Sequence, residues 1–252
     1  MELITSRKNK TVQHLRALGR DASARRESGE YLCDGHKLLH EALQSGKKPL
    51  CVLWRGEPMF GLPGDIEQLC ADESVFECVS PMKDSPGPVF SLELPGPGEK
   101  LLPGRAIVLE DVQDPGNVGT VVRTANALGC PNVVLVGACA DIYSPKAARA
   151  TMGAVFRQHI VRVPDAAALD RALKEAGLRL YGAALSDTAR DLRTADLSRA
   201  AVAIGNEGHG LSEELLAMCA GTLIIPMRPG SESLNAAAAG AVIMWELARS
   251  VL

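Results

Sequence analysis

Three short segments in the second half of the chain carry residue types at spacings from which a reactive site can be built. The first is Asp114-Pro115-Gly116-Asn117-Val118-Gly119, running into Thr120-Val121-Val122-Arg123-Thr124-Ala125. Pro-Gly makes a turn, Asn117 is of a type that caps helices, and Gly119 permits close backbone approach. Arg123 follows roughly one and a half helical turns later. Taken alone, this is equally a capped helix with an exposed arginine. The second is Ile204-Gly205-Asn206-Glu207-Gly208-His209-Gly210-Leu211. Three glycines after an apolar run mark a loop whose backbone passes close to something. The spacing is G-x-x-G-x-G, not the G-x-G-x-x-G of dinucleotide folds. Glu207 would repel phosphate, so the loop suits a polar or cationic ligand. His209 reads as incidental rather than as an acid–base group. The third is Ile225-Pro226-Met227, then Ser231-Glu232-Ser233-Leu234-Asn235, then the alanine-rich Ala236–Ala241. Ser233 and Asn235 offer a hydroxyl and an amide at a helix start, where backbone N–H groups are also free. The bare helix face admits a ligand or a packed neighbour, and both can hold together.

These segments need a scaffold. From residue 105 onward apolar runs alternate with helical patterns. Strands are expected at Arg105–Glu110, Pro131–Val136, Ile160–Val163, Leu178–Leu185, Ala201–Ile204 and Thr222–Ile225. Helices are expected at Asn117–Leu128, Lys146–Met152, Ala166–Ala176, Glu213–Cys219 with Ser212 as its cap, and Leu234–Ser250. Strands separated by helices imply a mainly parallel sheet covered on both faces, with ligands outside the strands' carboxyl ends. All three segments fall just after expected strands.

Before residue 85 the pattern is a smaller α/β unit. Helices are expected at His36–Gln44 and Asp65–Ala71, and strands at Pro49–Trp54 and Ser74–Val79. Nothing in that part has a catalytic look, so a binding module is expected. Proline and glycine crowd residues 85–104, which reads as a linker with room for a short strand at Val89–Leu94. The expected domains are therefore 1–84, a linker at 85–104, and 105–252.

Bulk properties exclude other classes. Net charge is −3, yet Met1 to Arg26 holds Arg7, Lys8, Lys10, Arg16, Arg20, Arg25 and Arg26 against Glu2 and Asp21. That local excess suits a phosphate backbone, and a solvated amphipathic helix fits it equally. Seven cysteines, an odd number without C-x-x-C spacing, argue against a disulfide framework or a zinc site. The polar, basic start is not a secretory signal and no apolar run matches a membrane span. A cytoplasmic protein without metal and without membrane attachment is expected.

Together the three segments resemble the motifs of the SpoU/TrmH family of the knotted SPOUT methyltransferases. Asn117–Ala125 match N-x-G-x-x-x-R-T-A, Gly205–Leu211 match G-x-E-G-x-G-L, and Pro226-Met227 with Ser233–Asn235 match the P-M and S-L-N segment. Ile4–Asn9 and Tyr31–Leu38 resemble the family's substrate-binding domain. Relatives often carry Glu at the place of Asp34 and a bulkier aliphatic at that of Ala236.

The resemblance implies a fold and a chemistry. The fold is α/β, with a C-terminal trefoil-knotted, mainly parallel sheet and a small N-terminal α/β substrate-binding domain. The cofactor is S-adenosyl-L-methionine, bent in the knot and held by Gly205, Asn206, Gly208, Gly210, Leu211, Ile225, Pro226, Met227, Leu234 and Ala236. Backbone groups of Gly205, Ile225 and Leu234 meet the adenosine part. The reaction is methylation of an RNA ribose 2′-hydroxyl, on ribosomal RNA in preference to transfer RNA because of the separate N-terminal domain. The catalytic group is Arg123, Asn117, Glu207, Ser233 and Asn235. Arginine stays protonated, so Arg123 is expected to orient the hydroxyl and stabilise a developing alkoxide. Asn117 positions Arg123 or the ribose, Glu207 ties down the loop or Arg123, and Ser233 and Asn235 order the substrate side. The resemblance also implies a homodimer packed through the knotted domain, with Met244 and Trp245 of the last helix at the interface. A non-catalytic RNA-binding or assembly factor that kept the pocket is the rival from another class; intact Asn117, Arg123, Glu207 and Asn235 argue against it. An oxidoreductase and an ordinary Rossmann-type methyltransferase both lack their glycine spacing.

Overall fold

The computed structural model describes residues 3–96, 98, 100–186, 188–228 and 233–249. It divides into two units, Met1–Gly96 with Asp141–Phe156, and Pro97–Ala140 with Arg157–Leu252.

The first unit begins with β1 (Leu3–Ile4), α1 (Lys10–Arg20), α2 (Ala22–Ser28), β2 (Glu30–Asp34), α3 (His36–Gln44), β3 (Cys51–Arg55), β4 (Glu67–Ala71), α4 (Glu73–Val79) and β5 (Val89–Glu93). Its sheet has the order β1-β4-β3-β5-β2, with β5 antiparallel to both neighbours. The basic N-terminal segment is no frayed helix. Asn9 caps α1 through its side-chain oxygen, and Val12, Leu15 and Leu18 enter a core with Phe76 and Val79. One of its cations is structural: Arg25 is 5% exposed and donates to Asp141 and to the Leu18 carbonyl. The other six, Arg7, Lys8, Lys10, Arg16, Arg20 and Arg26, stay exposed.

Two expectations for this unit are reversed. Asp65–Ala71, read as a helix, contains strand β4, which pairs in parallel along β3. Ser74–Val79, read as a strand, lies in helix α4. The deciding residue is Asp72, whose carboxylate accepts from the Val75 N–H at 2.8 Å, with Glu73 in the first turn where the helix dipole favours an acid. The Pro/Gly-rich stretch also differs from a plain linker. Val89, Phe90, Ser91 and Leu92 are buried, and β5 is an inner strand of the sheet, so the first unit extends to Gly96.

The second unit holds β6 (Ala106–Glu110), α5 (Pro115–Ala127) and β7 (Asn132–Val136). The chain then contributes α6 (Pro145–Ala150) to the first unit, within the stretch expected to be wholly part of the C-terminal domain. Ala147 and Ala148 are its buried residues, and Tyr143, just before it, stacks edge-on against Tyr31 at 5.0 Å. The second unit continues with β8 (His159–Val163), α7 (Ala166–Ala176), β9 (Arg179–Ala183), β10 (Arg190–Asp191), β11 (Ala200–Ile204), α8 (Glu213–Met218), β12 (Thr222–Ile224) and α9 (Ala236–Ala248). Ser212 caps α8 and Gly177 ends α7 in the left-handed conformation, both as their residue types require.

These strands form a seven-stranded, fully parallel sheet ordered β10-β12-β9-β11-β6-β7-β8. From β6 the chain fills one side through β7 and β8, then resumes on the other at β9. β6 and β11 are thus neighbours at the point where the winding reverses, the place where open α/β sheets leave a crevice beyond the carboxyl ends. The alanine-rich face of α9 packs on α5. A Cβ on Gly240 would sit 3.1 Å from Val121 Cγ2 and 3.4 Å from Ile204 Cδ1, which explains the bare surface. Met244, expected at a subunit interface, is fully buried within its own chain. Val242 and Trp245 are the exposed apolar residues of α9, at 40% and 55%.

Candidate active site

The crevice beyond β6 and β11 is built from the turns that follow them. After β6, Asp114 caps α5 by accepting from the Asn117 N–H at 2.9 Å, with Pro115 in the first turn, where a missing N–H costs nothing. The cap is therefore Asp114, not Asn117. That frees the Asn117 side chain, which donates through Nδ2 to Glu207 Oε1 at 2.9 Å. On its other side, Asn117 Oδ1 accepts from Asn235 Nδ2 at 3.0 Å. Asn235 completes the chain by capping α9, its Oδ1 accepting from the Ala237 and Ala238 N–H groups. One line of hydrogen bonds thus joins all three segments: α9 start, Asn235, Asn117, Glu207.

Glu207 ends that line. It also accepts from the backbone N–H groups of Gln113 and Asp114 at 3.3 and 3.4 Å. Partial burial pushes its pKa upward, but the hydrogen bonds from Asn117, from its own backbone and from Gln113 and Asp114 outweigh this and hold it below the ordinary glutamate value. Glu207 is thus a carboxylate that fastens the glycine loop to the start of α5.

The glycine loop is a closed structure in its own right. Asn206 and Gly210 exchange two backbone hydrogen bonds, at 3.0 and 2.9 Å. A Cβ on Gly205 would lie far inside contact with the Gly210 carbonyl and the Leu211 nitrogen. Gly205 is thus demanded by the loop's own return, not only by a ligand. Asn206 turns its amide inward, donating to the Asp111 carbonyl at 2.8 Å and accepting from the Gly208 N–H at 2.8 Å. Leu211 is 8% exposed and belongs to the sheet's core, so only its backbone is available to a ligand. Gly208 and His209 remain exposed on the loop.

Three supports had been missed. Buried Glu110, at the end of β6, accepts from both the N–H and the hydroxyl of Ser212, locking the far end of the loop. Asp111, with φ 52°, accepts from the Ala138 N–H at 2.6 Å and fixes the turn after β7. Asp114 is the cap. The Asp-Pro pair signalled that last role; an acid at a strand end says little by itself.

Two expected members take no part in this hydrogen-bonded line among the described residues. Arg123 lies on the exposed stripe of α5 with Thr120 and Ala127, and makes no hydrogen bond or ion pair among the described residues. Six positions on a helix are about 600° of rotation, so it leaves the axis roughly 120° round from Asn117. Glu207 ties down Asn117, not Arg123. Ser233 is exposed and likewise has no partner among the described residues, while Ser231 and Glu232 lie outside them.

Beyond β12, Ile225 and Met227 are half-buried and Pro226 is exposed; Leu234 is 41% exposed beside the start of α9, where Ala236 is buried. With the glycine loop, these residues give partly uncovered apolar surface and loop backbone beyond the carboxyl ends of β11 and β12, which flank β9. That donor set suits an adenosine, whose ring needs apolar faces and whose edge needs backbone partners. Among the described residues no group of three or more His, Cys, Asp or Glu side chains is placed to hold a metal ion.

Comparison with known proteins agrees with this reading. Residues 104–245 match the SpoU rRNA Methylase family. The chain is 32% identical, over 98% of its length and 99% of the relative's, to a Bacillus subtilis 23S rRNA (guanosine(2553)-2′-O)-methyltransferase. A Thermus thermophilus tRNA (guanosine(18)-2′-O)-methyltransferase is 36% identical over 60% of this chain and 77% of its own. Among solved structures, an AdoMet-bound rRNA methyltransferase from Sinorhizobium meliloti superposes with a TM-score of 0.87 at 29% identity, covering 100% of this chain and 98% of the other.

Proposed function

Because this chain belongs to the SpoU rRNA methylase family, we propose that its first unit captures ribosomal RNA and that its second methylates a ribose 2′-hydroxyl at the open ends of β6, β11 and β12. The activity itself is that of an S-adenosylmethionine-dependent RNA ribose 2′-O-methyltransferase. The cofactor supplies an electrophilic methyl group on a sulfonium; this chain's residues do the rest.

The hydrogen-bonded line Asn235–Asn117–Glu207 carries the site assignment, because it draws the three segments to one place. The Gly205–Leu211 loop, the Ile225–Met227 strand end and the Leu234–Ala236 turn hold the cofactor. Asn117 and Asn235 form the polar edge against which the ribose is positioned, and Ser233 adds a hydroxyl there. Arg123 binds a phosphate next to the target and stabilises charge on the hydroxyl oxygen. Its exposed position on α5 supports a role toward substrate, or toward the site of a second copy. A homodimer through Val242 and Trp245 of α9 accommodates this. The family's trefoil knot and a cytoplasmic location belong to the same proposal.

Ribosomal RNA is preferred to transfer RNA on one observation. The match to the ribosomal relative spans 98% of this chain, whereas that to the transfer-RNA relative leaves 40% unmatched. The six exposed cations of the N-terminal segment supply the phosphate contacts. The test is methyl transfer from labelled S-adenosylmethionine to unmodified ribosomal and transfer RNA in parallel. The reading requires transfer to ribosomal RNA; transfer to transfer RNA alone would replace it.

A further inference from the structure

A cavity of about 560 Å³ opens within the first unit, lined by residues outside all three segments. That volume lies in the ordinary range for small-ligand sites. One wall is apolar and aromatic: Leu38, Phe60, Met82, Pro86 and Met152. Phe60 and Met152 are 36% and 48% exposed, an unusual outlay of a ring and a thioether in one hollow. Phe60 is held there edge-to-face against the buried Trp54, ring centres 5.3 Å apart at 89°. The ring therefore presents a fixed face.

The other wall is polar and underused. Lys37 and Arg149 line it, both are exposed, and neither makes a hydrogen bond or ion pair among the described residues. The Nδ1 atom of His36 is buried without any hydrogen-bond partner. A buried ring nitrogen left unpaired is costly, and since the half-buried His36 lines the cavity, a turn of its ring would bring Nδ1 to a ligand there and relieve that cost. Two acids also line the cavity, Asp34 and Glu41. Asp34 is already committed, accepting from the hydroxyls of Ser80 and Ser85. Burial pushes its carboxyl up, while those hydroxyls and the charge of Arg149 oppose this.

A ligand for this hollow has a flat aromatic body with polar edges and an anionic margin. A nucleotide has all three. We propose that the cavity takes one unpaired nucleotide of the substrate RNA, its base on Phe60 and Met152, a polar base edge on His36 Nδ1, and adjoining phosphates on Lys37 and Arg149. The inference rests on the RNA methyltransferase reading and deepens it. It assigns a second nucleotide contact that selects the RNA without taking part in methyl transfer. Stacking on a ring and pairing on base edges is how unpaired RNA is read in general.

The test uses the full chain and unmodified ribosomal RNA transcripts. Three variants are compared with the parent: Phe60→Leu, which keeps the contact with Trp54 but removes the flat face, the double change Lys37→Gln with Arg149→Gln, and His36→Phe. Each should raise KM for RNA by roughly tenfold, the scale of one lost stack or contact pair. The kcat at saturating RNA and the affinity for S-adenosylmethionine should stay within about twofold, as also reports an intact fold. In the double variant, log affinity against log salt should lose about 0.7 of slope per lost phosphate contact. With 4-thiouridine in the RNA, cross-links should map to peptides holding Phe60 or Met152. Parent-like KM and salt slope in all variants, with cross-links elsewhere, would overturn the inference. So would a fall in kcat without a change in KM. If the parent methylates no RNA at all, the functional reading fails instead; if it methylates RNA and the variants match it, only this inference fails.

Discussion

At the scale of single residues, the site depends on two amides doing two jobs each. Asn235 caps α9 with its oxygen and holds Asn117 with its nitrogen. Asn235→Asp separates the two. Its carboxylate still caps the helix, so the melting temperature should change by no more than a few degrees. It loses the donor to Asn117, so kcat should fall by at least about tenfold, the worth of one such bond to a committed acceptor. Asn235→Ala should lose both, with about 1 kcal/mol of stability gone as well. Parent-like kcat in Asn235→Asp would show that the pairing with Asn117 is irrelevant, and equal loss of stability in the two variants would show that the cap is. Glu207 sets a pH limit. Its folded pKa lies below the ordinary value of 4.5, so its hold on Asn117 and on the α5 start is complete above 4.5 and lost as pH falls through the lower folded value. Cofactor affinity measured by calorimetry should therefore show no Glu207-dependent change at neutral pH and weaken only below 4.5. Glu207→Gln should remove that acid limb. A midpoint near neutrality in the parent would contradict the assignment.

At the scale of elements, the glycine loop is a preformed clasp. Gly205→Ala places a methyl group against the Gly210 carbonyl, backbone that cannot move aside without breaking the Asn206–Gly210 bridge. The cost should be about 1–3 kcal/mol, and S-adenosylmethionine binding should disappear. Binding retained at parent strength would mean the loop does not hold the cofactor. Elements carrying their own end signals were legible, such as α7 with Gly177 behind it and α8 with Ser212 before it. β4 and α4 trade places because apolar content over Asp65–Val79 does not by itself separate strand from helix, and the cap at Asp72 fixes the helix start. The short strand allowed at Val89–Leu94 is β5, but its inner place in the first sheet was not legible, because proline and glycine crowd both of its flanks. Within the site, the motif residues Asn117, Glu207 and Asn235 were legible as a set. Their order of bonding was not, because it depends on Asp114 taking over the cap. The exposed direction of Arg123 follows only once the phase of α5 is fixed.

At the scale of the whole molecule, residues 141–156 tie the second half of the sequence to the first unit. Arg25, almost fully buried, pairs with Asp141 at 2.6 Å. Arg25→Ala leaves Asp141 Oδ2 and the Leu18 carbonyl without the guanidinium that donates to them and should cost about 2–3 kcal/mol. Thermal melting of the full chain would measure it, and a loss under 0.5 kcal/mol would show the pair to be incidental. A fragment starting near Leu102 keeps all three motifs but loses the strands and helices on which α6 packs. It should bind S-adenosylmethionine weakly or aggregate, in place of simply losing RNA affinity. For association, Trp245→Lys should convert a dimer to a monomer by light scattering and reduce turnover with it; a fully active monomer would remove the shared-site reading of Arg123.

In the proposed reaction the Asn235–Asn117–Glu207 line and Arg123 serve methylation of a ribose oxygen. The direct measurement is to incubate parent, Asn117→Ala and Arg123→Ala proteins with methyl-labelled S-adenosylmethionine and unmodified ribosomal RNA. The RNA is then digested to nucleosides and the labelled product resolved. The parent should yield a single 2′-O-methylnucleoside. Either variant should yield at least about a hundredfold less, the usual scale for losing a group that stabilises developing charge, with RNA binding nearly intact. Label on a base, or undiminished ribose methylation by both variants, would contradict it.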